Sequence, residues 1–378
     1  MDVSSLAAVR PAGAPRRLRV RDLPVAVVTA SAAASALLAE TFFPPGMFYV
    51  REATDEPDEP DLTIVDLTWQ AAEIADLLRH AATGVTGEYE LTRGYRQRKY
   101  DVDGHTVFTL RDVHSDEIAA LIRDQDRITV VRPASGLGDR WVTRIVRDVA
   151  TRLAKAAGSL VLHSSAFAFD GRAYLVIGDS GAGKSTTAIA LSRLLPASGW
   201  MGNDRMHLDA DGGHYRVTAC PLPLRVNKGS LDVVGVTDLA SWSPRAGLPG
   251  PESDWDQFHG EDKLKLSSQE VSRYLDVEVV AEAVLGGVIL PRVDREGAYF
   301  CEPAKTGQVA EVVTRNCFSL EDNLYGEDWL GVPVPHRAAP PSLDDFLDHI
   351  AGLPVLRCSV GSATDLARLA GDFQQGTQ

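Results

Sequence analysis

The sequence predicts a mixed α/β protein in two parts, a small front α/β domain over residues 16–135 and a larger domain over 136–378 built around a phosphate loop. Three observations carry this reading. Short β-branched runs alternate with helically striped stretches along the chain. One such alternation, "AYLVIGDSGAGKSTTAIALSRLL", places a strand, a glycine-rich turn and a helix in immediate succession. The residues ahead of position 136 hold strands and helices of their own but no catalytic motif.

A chain of 378 residues is comfortable for two domains, and 44% hydrophobic with 24% charged residues is ordinary for a soluble globular core. The formal net charge of -14 argues against broad nucleic-acid or anionic-membrane binding, which both want a positive face. Cys220, Cys301, Cys317 and Cys358 fall in no metal-like spacing and are too few for a disulfide scaffold. They read as reduced thiols of a cytoplasmic protein. Arginines 16, 17, 19 and 21 ahead of "PVAVVTASAAASALLAE" imitate a signal peptide. The run begins too far from Met1, however, and Asp22 and Pro24 interrupt it. No run is long enough to span a membrane.

In order, residues 1–15 read as disordered, "LPVAVVTA" as a strand and "SAAASALLAETFF" as a helix. "REATDEPDEPD" is a solvated loop, "LTIVDL" a short strand, and Thr68–Ala82 a helix with Thr68 as N-cap. "RKYDVDGHTVFTLRD" is a hairpin turning on Asp103-Gly104, a pair suited to positive φ. "EIAALIRDQDRITVVRP" reads as helix then strand. Asp139–Gly158 is the most amphipathic stretch, with Trp141, Ile145, Val149 and Leu153 at near-helical spacing and Gly158 as the stop. "SLVLHSSAFAFDGRAYLVIG" follows as strand, Asp170-Gly171 turn and strand. "WMGNDRMHL" reads as one further strand, the parallel neighbour of the strand feeding the loop.

The loop satisfies G-x-x-x-x-G-K-[ST] through Gly178, Gly183, Lys184 and Ser185, with Asp179, Ser180, Gly181 and Ala182 between. Its glycines allow backbone conformations that side chains forbid, so successive N–H groups can form an anion nest at a helix N-terminus. Lys184 adds a point charge for the β/γ phosphates, Ser185 a hydroxyl for Mg²⁺, and Thr186 a cap or an α-phosphate contact. Such a site works with a nearby acid, and Asp204, one crossover helix downstream, is the candidate. His163 ends the strand before the loop's own strand. Arg205, Arg225 and Lys263 are candidate cations for the transferring phosphoryl group.

"LHSSAFAFDGRAYLVIGDSGAGKSTTAIAL" with "WMGNDRMHL" resembles the catalytic core of the HPr kinase/phosphatase family, which shares its fold with the nucleotide part of phosphoenolpyruvate carboxykinase. The likeness runs over residues 140–372, more weakly in "CPLPLRVNKGSLDVVG", "EDKLKLSSQEV" and "GLPVLRCSVGSATDLARLAGDF". It implies a phosphate-loop kinase core of that type, using ATP rather than GTP with Mg²⁺. It also implies transfer to a hydroxyl, first of all serine or threonine of a small protein or ribosomally made peptide, and a homo-oligomeric state. A role for His163 facing the phosphate pocket comes from the same resemblance. Where the family carries Asp-Asp, this chain has Asn203-Asp204. Asp204 is then the base and Mg²⁺ anchor, and Asn203 at most orients the acceptor, because an amide takes no proton at neutral pH. The family's Glu-x-x-Gly-x-Gly loop is not evident, which counts against reversal by phosphorolysis. Two alternatives stay open: a kinase of a free amino acid or sugar, and a nucleotide-binding regulator whose catalysis has decayed. The front domain is expected to recognise the acceptor or a partner.

Overall fold

The computed structural model describes residues 3, 9, 14–43, 47–53, 59–92, 95–111, 116–136, 138–236, 263–294, 296–318, 329–332 and 342–377. The fold is mixed α/β with two large sheets and several helices. The chain divides into two compact units, 1–157 with 321–338, and 158–320 with 339–378.

The first unit is a nine-stranded sheet. Its strands are β1 (Arg16–Val20), β2 (Leu23–Thr29), β3 (Val50–Glu52), β4 (Leu62–Thr68), β5 (Val85–Thr92), β6 (Tyr95–Val102), β7 (His105–Arg111), β8 (Ile118–Arg123) and β9 (Arg127–Arg132). They lie in the order β3-β1-β2-β4-β9-β8-β7-β6-β5. β2, β4 and β9 are mutually parallel and central. The parallel steps need crossovers, and the helices α1 (Ala32–Phe42) and α2 (Ala71–Ala81) follow β2 and β4. Ile74, Leu77 and Ala81 of α2 bury against Val65, Val107, Ile122 and Val131 of the sheet. The Asp103-Gly104 turn forms as expected, with φ of 51° and 80°, the mirror-image geometry that matches strand twist.

Two elements depart from the sequence reading. Ile118–Arg123 is strand rather than helix. Its four central residues are all buried between β7 and β9, so it lacks the alternation that marks a strand with one wet face. The second helix starts later than Thr68, which ends β4. Gln70 is the N-cap, in a capping box with Glu73. At the C-terminal ends of the parallel strands, Arg132 is 1% exposed and grips both Asp66 carboxylate oxygens at 2.8 Å, while its Nη1 lies 2.8 Å from Asp139. Thr29 Oγ1 donates to Asp66, and Ser31, which caps α1, donates to Asp139. A buried charge group with every partner in place is a structural lock, and losing one member costs about 3–5 kcal/mol. Asp139 immediately precedes α3 (Arg140–Ala156), which packs on α1 and β1. The amphipathic helix therefore belongs to the first unit, and the division falls after Ala157 rather than after 135. Most of 1–15, expected to be disordered, lies outside the described residues; Val3 and Val9 pack on the first unit's core.

The second unit holds a ten-stranded sheet. Its first strands are β10 (Leu160–Leu162), β11 (Ser164–Phe169), β12 (Arg172–Ile177), β13 (Ser198–Gly202), β14 (Met206–Asp211) and β15 (His214–Ala219). A separate two-stranded piece pairs β16 (Leu224–Val226) with β17 (Leu264–Leu266). β18 (Glu278–Val279), β19 (Glu282–Val293), β20 (Phe300–Pro303) and β21 (Val355–Val360) complete the set. The order is β10-β14-β15-β19-β12-β11-β13-β18, with β21 and then β20 continuing from the far half of β19. The hairpin turns at Asp170-Gly171 and Gly212-Gly213 both have positive φ at their two central residues. Helix α4 (Lys184–Leu194) lies on β11, β12 and β13. Its Ala188, Leu191 and following Leu195 join Phe167, Tyr174, Ile289 and Phe373 in one core cluster. The remaining helices are α5 (Lys228–Val233), α6 (Ser268–Leu275), α7 (Thr306–Arg315), α8 (Leu343–Ala351) and α9 (Ala363–Thr377). Among the described residues, no helix is long and apolar enough to cross a membrane.

Candidate functional site

The site begins with a strand that ends and a helix that starts. β12 is buried from Ala173 to Ile177, and the chain turns through Gly178–Gly183 into α4. Two positions in that turn are left-handed, Gly181 at φ 81° and Gly183, the helix N-cap, at φ 92°. A Cβ on Gly183 would also stand 2.3 Å from Val293 Cγ2 at the end of β19. Strain and collision both require glycine here. Gly183→Ala is expected to cost about 1–3 kcal/mol. The check is a thermal melt, where the midpoint should fall by several degrees.

Lys184 is 8% exposed, and its Nζ turns back along the loop to donate to the carbonyl of Gly178 at 2.7 Å and of Asp179 at 3.2 Å. Burial pushes its ammonium below the ordinary lysine range, the carboxylates of Asp204 and Asp179 oppose that, and the charge of Lys263 adds to it. Ser185 Oγ lies 3.4 Å from Ser165 Oγ, and Thr186 Oγ1 lies 2.9 Å from Ser230 Oγ. The ends of β11 and α5 thus line the first turn of α4.

"WMGNDRMHL" is not one strand. β13 stops at Gly202 and β14 starts at Met206, with Asn203-Asp204-Arg205 forming the bend. Asp204 has φ 65°, and the Arg205 N–H donates to the Asn203 carbonyl at 2.8 Å. A hydrogen bond spanning one left-handed residue is the rare, strained γ-turn, a form that concentrates at functional sites. Nor is β13 the neighbour of β12. β11 lies between them, antiparallel to both, and the parallel neighbour of β12 is β19. Asp204 lies just past the end of β13, and its carboxylate acts on the Lys184 ammonium. Asn203 is 1% exposed, and its Oδ1 meets no donor among the described residues.

His163 sits in the break between β10 and β11, its backbone N–H donating to the Asn316 carbonyl at 2.7 Å. Burial lowers its pKa, Lys184 and Arg205 add to the lowering, and Asp204 opposes it. The imidazole is therefore neutral at pH 7. His163, Lys184, Asp204, Arg205 and Lys263 thus share one electrostatic neighbourhood. Arg225 is not among the charges acting on His163 or Lys184; it lies on β16 opposite Lys265 of β17. Among the described residues there is no group of three or more His, Cys, Asp or Glu that could hold a metal.

Sequence reasoning missed the end of α7. Arg315 Nη2 stands 3.4 Å from Asp179 Oδ2, and the Phe318 ring stacks on His163 at 5.2 Å between centroids. These residues lie far downstream of the loop in "VVTRNCF", which matches no motif.

No protein-family model matches the chain, and no curated protein matches it. The solved structure of the Hpr(Ser) kinase/phosphatase from Coxiella burnetii is 14% identical and covers 50% of this chain and 93% of that one, with a TM-score of 0.20. That likeness is partial and weak.

Proposed function

We propose that the second unit is an ATP-dependent phosphotransferase of the HPr-kinase-like, phosphate-loop type, acting on a hydroxyl with Mg²⁺. The observation that carries this reading is the loop: two left-handed glycines at a helix N-terminus, closed by a buried lysine bonded to the loop's own carbonyls. Oriented N–H groups and a desolvated cation suit a polyphosphate anion.

The residues present fit Mg²⁺ as well. This ion is bound through one or two protein oxygens together with substrate phosphates and water, so it needs no protein cage of three acids. Ser185 and Asp204 would hold it, and it would neutralise charge on the transferring group. Asp204 is the group to accept the proton of the acceptor hydroxyl. Asn203 has no such chemistry, and its burial keeps it from the acceptor. The neutral His163 can donate to a phosphate oxygen or orient the Asp204 carboxylate. Arg205 adds positive charge near His163, and Lys263 near Lys184. For the acceptor we infer serine or threonine of a small protein or ribosomally made peptide, which would give the first unit a recognition task.

The buried amide of Asn203 favours a second reading, a nucleotide-binding regulator without transfer. Incubation with γ-labelled ATP, Mg²⁺ and hydroxyl acceptors separates the two. Acid-stable label on serine or threonine is the expected result. Nucleotide binding with no label transferred to peptide, protein, amino-acid or sugar acceptors would favour the regulator.

A further inference from the structure

Arg315 is the last residue of α7, and its guanidinium lies against the phosphate loop rather than out in solvent alone. Nη2 is 3.4 Å from Asp179 Oδ2, and Nη1 is 3.1 Å from Glu311 Oε1 one turn back. Asp179 is thereby flanked by two cations. Arg315 meets its side chain, and Lys184 Nζ meets its carbonyl. The position of Arg315 is fixed from behind. The next residue, Asn316, accepts the His163 N–H and donates Nδ2 to Val312 O; Cys317 bridges Leu162; and Phe318 stacks on His163. Three successive residues tie the end of α7 to the strand break that also carries His163.

The Arg315–Asp179 pair does little for the fold. The side chains are 50% and 66% exposed, so water and salt screen the pair and it adds little to stability. It is therefore easily exchanged. A guanidinium is a planar, permanently charged fork that matches phosphate oxygens in pairs, and a terminal phosphate carries more charge than one carboxylate.

We propose that Arg315 is a phosphate-binding residue that leaves Asp179 for the terminal phosphate of a nucleoside triphosphate seated in the loop. This rests on the phosphotransferase reading above and extends it to a residue from the far end of the unit. In that role Arg315 neutralises the transferring group, the task an in-chain arginine performs in phosphoryl transfer. Asp179 holds it in place until the phosphate arrives.

The test is calorimetric titration of the full chain with the Mg²⁺ complex of a non-hydrolysable β,γ-imido ATP analogue, and separately with ADP. Arg315→Ala is expected to weaken the triphosphate at least tenfold and ADP less than threefold, so the ratio of the two affinities collapses. Arg315→Lys should fall between. Thermal melts of each variant within a degree or two of the parent keep a folding defect from imitating the result. If Arg315→Ala weakens both ligands equally or neither, while Lys184→Ala removes both, the assignment of Arg315 is wrong and the loop reading survives. If the unmodified chain binds neither ligand, both fall together.

Discussion

Replacing Lys184 with alanine is expected to remove nucleoside triphosphate binding and lower phosphoryl transfer by at least 10²–10³-fold, the scale of losing one preorganised charge donor at a transferring group. The reason lies in what the ammonium already does. It is buried and lowered in pKa by that burial, and it hydrogen-bonds to the carbonyls of Gly178 and Asp179. Two of its three donors bind the loop, which leaves the third for an incoming oxygen. The substitution therefore removes both a phosphate contact and the brace that shapes the loop. Lys184→Arg is the companion variant. It keeps the charge, but its longer planar head does not fit a two-carbonyl seat, so transfer should stay near the alanine level. Circular dichroism and thermal melting show whether the loop alone has changed. Initial rates of label transfer from γ-labelled ATP read the effect.

Asp204→Asn is expected to lower kcat by 10²–10⁴-fold, the range for loss of a positioned proton acceptor. The substitution is well matched to its position. Asp204 is left-handed at φ 65°, and asparagine tolerates that region as well as aspartate does, so the turn survives and only the charge is lost. Because Asp204 raises the pKa values of both His163 and Lys184, its neutralisation should lower both further. A drop of less than tenfold would move the proton to His163. Asn203→Asp would place a second carboxylate in a site closed to solvent, where burial raises its pKa and disfavours ionisation. The position next to Asp204 therefore does not serve as a spare base.

The backbone geometry of the loop was legible because its spacing is a backbone requirement. Glycine at 181 and 183 answers positive φ, and the lysine follows at the first helical position. The turns at Asp103-Gly104 and Asp170-Gly171 were legible for the same reason. What escaped was decided by neighbours. Ile118–Arg123 resembles a helix in isolation and becomes a strand because β7 and β9 pair with both of its edges. The break at Asn203-Asp204 follows Gly202, three turn formers in a row, but apolar residues on both sides give the stretch the look of one continuous strand. The order β19-β12-β11-β13, which puts an antiparallel strand between β12 and β13, follows from pairings across the whole unit. Arg315 and Phe318 reach the site only because the end of α7 is pinned to the β10–β11 break. No spacing rule near the loop could point to them.

Titration with the Mg²⁺ complex of ATP, in parallel on the unmodified chain and on Lys184→Ala, tests the central claim most directly. One nucleotide per chain should bind saturably to the unmodified protein, and binding should be lost in the variant while its circular dichroism shows the fold retained. Equal binding by both proteins, or none by the unmodified chain, would contradict it.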